Sequence, residues 1–87
     1  MNAQRAESYI KVVSVLDSEG GVTLRPDEVI KLRHAADSLF FEEEGRSEAV
    51  EEAKAVLSSV VDSERWSEER ADRLSDDIEG CGSLVPA

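Results

Sequence analysis

Apolar residues recur every three or four positions along four stretches of the chain, a spacing typical of one face of an α-helix. The first stretch covers about residues 3–18 and ends at Gly20-Gly21. The apolar positions of its predicted inner face are Ala6, Ile10, Val13 and Leu16. The run of β-branched residues in 12–15 favours a strand instead. A β-hairpin over about Tyr9–Leu24, with its turn at the two glycines, is therefore the alternative.

The second stretch has the strongest helix-start signal. Pro26 suits the first helical position, and Asp27 and Glu28 suit the positive end of the helix dipole. We expect this helix to end in Glu42-Glu43-Glu44 and Gly45. Its predicted inner face consists of Val29, Leu32, Ala36 and Leu39, widened by Ile30, Phe40 and Phe41. Adjacent helical residues point about 100° apart, so one of the two phenylalanines should emerge at the edge of the core.

The third and fourth stretches each follow a serine that is a candidate N-cap, Ser47 and Ser67. Trp66 precedes the fourth helix as a hydrophobic staple, and Gly80 is its predicted end. The inner face of the third helix is predicted to be Val50, Ala53, Leu57, Val60 and Val61. That of the fourth helix is predicted to be Ala71, Leu74 and Ile78.

These elements predict an all-α fold, a small four-helix domain of antiparallel helical hairpins over residues 1–80. The alternative is an α+β fold with an N-terminal β-hairpin and three helices. Residues 81–87 are predicted to be a flexible C-terminal tail that exposes Cys81. Segments 14–19 and 59–64 match at five of six positions with an offset of 45, which suggests that the hairpin is repeated.

Composition excludes several classes of protein. The 87 residues carry a net charge of -10, so we expect no direct binding to DNA or RNA, which requires a basic surface. A single cysteine excludes an intrachain disulfide framework. Because the chain has only one cysteine and one histidine, a closed zinc site is not expected. Neither a secretory signal nor a membrane span is recognisable, which predicts a cytoplasmic protein. No nucleophilic constellation or phosphate-binding loop is present, so we expect neither an enzyme nor a cofactor.

The negative charge is concentrated in one half of the chain. Residues 1–41 have a net charge of -1 and residues 42–87 of -9. Acids stand at predicted helix C-termini and four apart on predicted helices, where both placements oppose helix stability. We therefore expect a binding role for this half. Its candidate partner-binding residues are Glu43, Glu44, Glu48, Glu52, Glu68, Asp72, Asp76 and Trp66.

The first functional hypothesis is a protein–protein interaction or regulatory module that docks on a basic surface of a partner. The emerging phenylalanine and Trp66 are candidate anchors for that partner or for a homodimer. The second hypothesis is a nucleic-acid mimic that inhibits a nucleic-acid-binding enzyme. Carboxylates four residues apart on a helix lie about 6 Å from one another, close to the spacing of successive phosphates.

The third hypothesis is a degenerate EF-hand-like calcium site in residues 17–28, which have the length of an EF-hand loop. This segment weakly resembles such a loop, with Asp17, Glu19 and Glu28 at positions for ligands. However, Val22 replaces the turn glycine and Arg25 places a cation at a ligand position. The segment is therefore better explained as a helix end followed by a helix that begins with proline, without a metal.

Overall fold

The computed structural model describes residues 3–82, which form four α-helices. They are α1 (Ala3–Glu19), α2 (Pro26–Phe40), α3 (Arg46–Asp62) and α4 (Glu68–Gly82). The predicted all-α four-helix fold is confirmed. The alternative β-hairpin is wrong, because α1 continues helically through the β-branched run to Glu19. Gly20 and Leu24 make an isolated bridge in the connection that follows.

The two helical hairpins are arranged with an approximate two-fold relation. Helices α2 and α4 contact each other in the centre, while α1 and α3 each pack on both of them and, in the described chain, not on one another. The helices have 17, 15, 17 and 15 residues. The second hairpin therefore has the lengths and neighbours of the first.

The bounds of the helices relate the two hairpins. Helices α1 and α3 start 43 residues apart, and α2 and α4 start 42 residues apart. In α2 and α4 buried residues recur at the same offset of 42: Leu32 and Leu74, and Ala36 and Ile78. The helical hairpin is therefore repeated in the architecture.

The inner faces of α2, α3 and α4 largely follow the prediction, whereas that of α1 does not, and α2 departs from it at Ile30 and Phe41. Helix α1 buries Val12 and Leu16 and leaves Ile10 62% exposed. Helix α2 buries Leu32 and leaves Ile30 68% exposed. Both helices carry apolar residues over a wide arc, so the period alone does not determine which part of the arc meets the neighbouring helices.

Helix ends differ from the prediction in two places. Helix α2 ends at Phe40, so Glu42, Glu43 and Glu44 lie in the α2–α3 connection and not in the last turn. Helix α3 begins at Arg46 after Gly45, which has a φ of 80°, and Ser47 is not its cap. Ser67 does cap α4: its Oγ accepts a hydrogen bond from the backbone N–H of Arg70 at 3.2 Å.

Two glutamates adopt the left-handed conformation that usually requires glycine after a helix. Glu42 follows α2 with a φ of 53°, and Glu64 follows α3 with a φ of 62°. In each case the next backbone N–H returns to the helix, from Glu43 to the carbonyl of Ser38 at 2.8 Å and from Arg65 to that of Val60 at 3.1 Å. These bonds form Schellman motifs, in which a side chain at the left-handed position costs free energy.

We expect Glu64→Gly to raise the free energy of unfolding by about 0.5–1 kcal/mol, because glycine adopts this conformation without strain. Gly45→Ala is the reverse control: φ is 80° there and no neighbouring atom obstructs a Cβ. This control should lose about 1 kcal/mol. Urea unfolding followed by circular dichroism measures both. A destabilised Glu64→Gly variant would contradict the prediction.

Candidate functional site

A groove runs between α3 and α4 on the outer side of the second hairpin. Leu57 and Ala71, both buried, and half-buried Val61 form its apolar floor. The groove has a volume of about 380 Å³. The polar side chains that line it are Lys54, Ser58, Asp62, Glu68, Asp72, Ser75 and Glu79. We call this surface the acidic groove.

Most of the negative charge in the acidic groove is not neutralised by the protein itself. The Nζ of Lys54 lies 3.1 Å from Oε1 of Glu79, so this pair is neutral overall. Asp62, Glu68 and Asp72 are exposed and have no lysine or arginine nitrogen within 4 Å among residues 3–82. The groove therefore presents three free carboxylates above an apolar floor.

The structure divides the predicted acidic residues among separate surfaces. Glu68 and Asp72 line the acidic groove, and Asp76 lies one turn further along α4, outside its lining. Glu52 precedes Lys54 by two residues, so it points about 160° away from the groove side of α3. Glu48 lies one turn before Glu52 on that same far side of α3.

Glu43 and Glu44, in the α2–α3 connection, also lie outside the groove lining. All seven predicted acids are exposed, but they do not form one stripe. The sequence analysis did not select Asp62 and Glu79 of the groove. Helical spacing could have identified both residues as part of this surface. Asp62 is eight residues after Lys54, and Glu79 is seven residues after Asp72, so each pair lies on one face of its helix.

Trp66 was predicted to contact a partner, and the structure contradicts this. Its side chain is 5% exposed, and its Nε1–H donates a hydrogen bond to Oγ1 of Thr23 at 2.8 Å. Thr23 in turn donates to Oε1 of Glu19 at 2.7 Å. The guanidinium of Arg70 covers the indole ring at 4.4 Å from its centroid and pairs with Glu19 at 3.0 Å. Trp66 thus joins the two hairpins and is closed to a partner.

Beside Trp66, a largely buried ion pair joins the α3–α4 connection to the first turn of α2. Nη1 and Nη2 of Arg65 donate hydrogen bonds to the two carboxylate oxygens of Glu28 at 2.7 and 2.9 Å. Arg65 also donates to the carbonyl of Thr23 at 2.9 Å, and Glu28 accepts the backbone N–H of Arg25 at 2.8 Å. The guanidinium of Arg65 beside Glu28 holds the pKa of that carboxyl down at about 2.

In the EF-hand-like segment, two of the candidate calcium ligands are bound to other side chains of the protein. Glu28, its candidate bidentate ligand, is bound to Arg65, and Glu19 is bound to Thr23 and Arg70. Over residues 3–82, no three His, Cys, Asp or Glu side chains come close enough to hold a metal ion. The segment serves in this structure as a helix connection whose polar groups bind arginines.

Cys81 is buried, not exposed as predicted. It lies within α4, which ends at Gly82 and not at Gly80, and its side chain is 0% exposed. Burial, aided by the nearby carboxylate of Asp77, raises the pKa of its thiol to about 11. The thiol is therefore protonated and unreactive at neutral pH. The rest of the predicted tail, residues 83–87, lies outside the described residues.

Comparison of the chain with protein-family models, with curated proteins and with solved structures finds no match. Among the helices of residues 3–82, none combines the length and the apolar character needed to cross a membrane.

We expect Glu28→Gln to lower the free energy of unfolding at pH 7 by about 1–3 kcal/mol, because it leaves Arg65 without its ionic partner. Glu28 has a lowered pKa in the folded protein, so its contribution is complete above the ordinary glutamate value of 4.5 and is lost as pH falls through about 2. The difference from wild type should therefore be constant above about pH 5 and shrink below it.

Urea unfolding at a series of pH values measures this difference. The control is Asp27→Asn, which removes an exposed carboxylate from the same helix turn and should cost about 0.5 kcal/mol. A Glu28→Gln deficit as large at pH 2.5 as at pH 7 would show that the ion pair does not supply the stability.

Proposed function

We propose that this protein is a non-enzymatic binding module that docks on a basic surface of another protein through its acidic groove. The observation that carries the proposal is the placement of three free carboxylates, those of Asp62, Glu68 and Asp72, above an apolar floor. The exposed part of the apolar floor, chiefly at Val61, adds contact area, while charge directs the encounter and sets the orientation of the partner.

The shape of the groove narrows the kind of surface that fits. Two neighbouring helices bound it, so an amphipathic helix can place its apolar side chains against Leu57, Val61 and Ala71. Lysines or arginines on both sides of that helix would then reach the carboxylates of α3 and α4. A basic amphipathic helix presented by the partner is therefore the surface that matches the groove in both polarity and charge.

Nucleic-acid mimicry is the second candidate, and the row Glu68, Asp72 and Asp76 favours it, because these exposed carboxylates stand four apart on α4. A mimic needs such a row to continue over several phosphate positions. Here Glu48 and Glu52 point to another side of α3, and Lys54 interrupts the groove. Docking on a basic helix therefore accounts for more of the surface.

The docking proposal is tested with a synthetic amphipathic helix of leucine and lysine of about 18 residues, with a scrambled peptide of the same composition for comparison. Binding is measured by calorimetry, and the contact surface by amide shifts in an NMR titration. We expect the amphipathic peptide to bind more tightly than the scrambled one and to shift Ser58, Ala71 and Ser75 of the groove. Raising NaCl from about 50 to 300 mM should weaken binding.

The chain offers a matched pair of charge-reversal variants. Glu68→Lys with Asp72→Lys changes the groove, whereas Glu48→Lys with Glu52→Lys makes the same change, in the same turns of its helix, on the far side of α3. We expect a loss of at least about tenfold in affinity for the groove variant and less than about threefold for its control, since only local charges face the peptide.

Equal losses in the two variants would mean that only the net charge matters, and the docking proposal would fail. Mimicry is tested separately by capturing proteins from a lysate on the immobilised chain and eluting with duplex DNA. Release of nucleic-acid-binding proteins from wild type, but not from the Glu68→Lys with Asp72→Lys variant, would favour mimicry over docking on a basic helix.

A further inference from the structure

One ion pair crosses the acidic groove from one wall to the other, at the end that lies away from the α3–α4 connection. The Nζ of Lys54, on α3, lies 3.1 Å from Oε1 of Glu79, on α4. The two side chains are 56% and 52% exposed, so the pair stands at the open surface of the groove. Exposed pairs of this kind contribute little to stability. This pair therefore matters more for the charge of the groove than for the fold.

The free carboxylates of the groove lie toward its opposite end. Asp62 is the last residue of α3 and Glu68 is the first of α4, so both adjoin the α3–α4 connection. Lys54 is about 12 Å from Asp62 along α3, at 1.5 Å per residue. On α4, Asp72 is about 6 Å from Glu68, and Glu79 is about 16 Å from it. The groove thus has an acidic end with the three free carboxylates and a neutral end formed by the Lys54–Glu79 pair.

The two ends of the groove act on different parts of a partner. Within residues 3–82, Lys54 is the only lysine or arginine in the lining of the groove. Two exposed acids, Glu51 and Asp76, are close to the neutral end in sequence but lie outside that lining. At physiological ionic strength the Debye length is about 8 Å, which is shorter than the separation of the two ends. Each end therefore acts mainly on the charges directly above it.

A docked basic helix meets a different environment at each end. A helix of 18 residues is about 27 Å long and covers both ends of the groove. A partner cation above the acidic end meets carboxylates that have no cation of their own. A partner cation above the neutral end meets the ammonium group of Lys54 and a carboxylate, that of Glu79, whose charge Lys54 already balances. A repulsive element of this kind is a common source of binding specificity.

We propose that Lys54 sets the specificity of the acidic groove. Because it occupies Glu79 and repels cations at the neutral end, the groove selects basic helices whose lysines and arginines are gathered in one half. Helices that carry the same number of cations evenly spread bind less tightly. The uncharged half of the partner helix passes over the Lys54–Glu79 pair. This role of Lys54 rests on the proposed docking function and adds to it the charge pattern of the partner.

Three synthetic amphipathic helices of about 18 residues test the proposal, all with the same leucine, glutamine and lysine content and the same leucine positions. Their lysines are gathered in the N-terminal half, gathered in the C-terminal half, or evenly spread. Lysines near a helix C-terminus stabilise the helix, so the helix content of each free peptide is measured by circular dichroism. At about 150 mM NaCl, calorimetry should show that the tighter of the two gathered peptides binds wild type at least about threefold more tightly than the spread one.

Variants of the full chain assign this preference to Lys54. With Lys54→Gln, the spread peptide should bind at least about threefold more tightly than to wild type, and the gathered peptide should gain less than about twofold. Lys11→Gln is the matched control, because it removes the same charge from an exposed position on α1. It should leave the preference among the peptides unchanged. In the variant Lys54→Gln with Glu79→Gln, the spread peptide should lose most of its gain, because the freed carboxylate is absent.

The specificity and the docking function fail in different ways. If no peptide shifts the amides of the groove in an NMR titration, the docking function is wrong and the role of Lys54 is wrong with it. If the peptides bind there but neither gathered peptide binds wild type more tightly than the spread one, only the role of Lys54 is overturned. An equal gain of the gathered and spread peptides with Lys54→Gln would overturn it as well. Circular dichroism checks that every variant folds.

Discussion

The ion pair between Glu28 and Arg65 is the contact on which the arrangement of the two hairpins depends. Arg65 reaches from the α3–α4 connection to the first turn of α2 and also to the carbonyl of Thr23 in the α1–α2 connection. Trp66 and Arg70 reinforce the same junction through Thr23 and Glu19. Because the Glu28 carboxylate is buried, the loss of Arg65 would leave its charge uncompensated, which is far more costly than the loss of an exposed pair.

The acidity of the surface results from how the structure uses its cations as well as from composition. Of the ten lysines and arginines, four form ion pairs within residues 3–82, those of Arg33, Lys54, Arg65 and Arg70. Two more bind backbone carbonyls: Arg5 binds those of Leu39, Phe40 and Cys81, and Arg46 those of Glu42 and Glu43. Arg5 thereby supplies positive charge to the C-terminus of α2, which has no basic residue in its own last turn. The cations hold the fold together, and most of the acids remain free on the outside.

Two hairpins of the same length and packing have acquired different surfaces. The second hairpin carries the acidic groove, whereas the first exposes the large apolar side chains of Ile10 and Ile30. Helix packing constrains only the inner face, so the outer positions are open to different uses in each hairpin. We propose that the acidic surface of the second hairpin is used to bind a basic partner.

The sequence by itself determined four helices, the start of α2 at Pro26, the cap at Ser67 and the emergence of Phe41, which is 64% exposed, at the edge of the core. These features are local, because they depend on residues within a turn or two of each other. Tertiary structure decided which arc of α1 and α2 is buried, and so left Ile10 and Ile30 outside while it enclosed Trp66 and Cys81. It also divided the acids between the groove and the far side of α3. The helical period identifies the apolar side of a helix, but only packing against neighbouring helices decides which residues of that side are buried away from water.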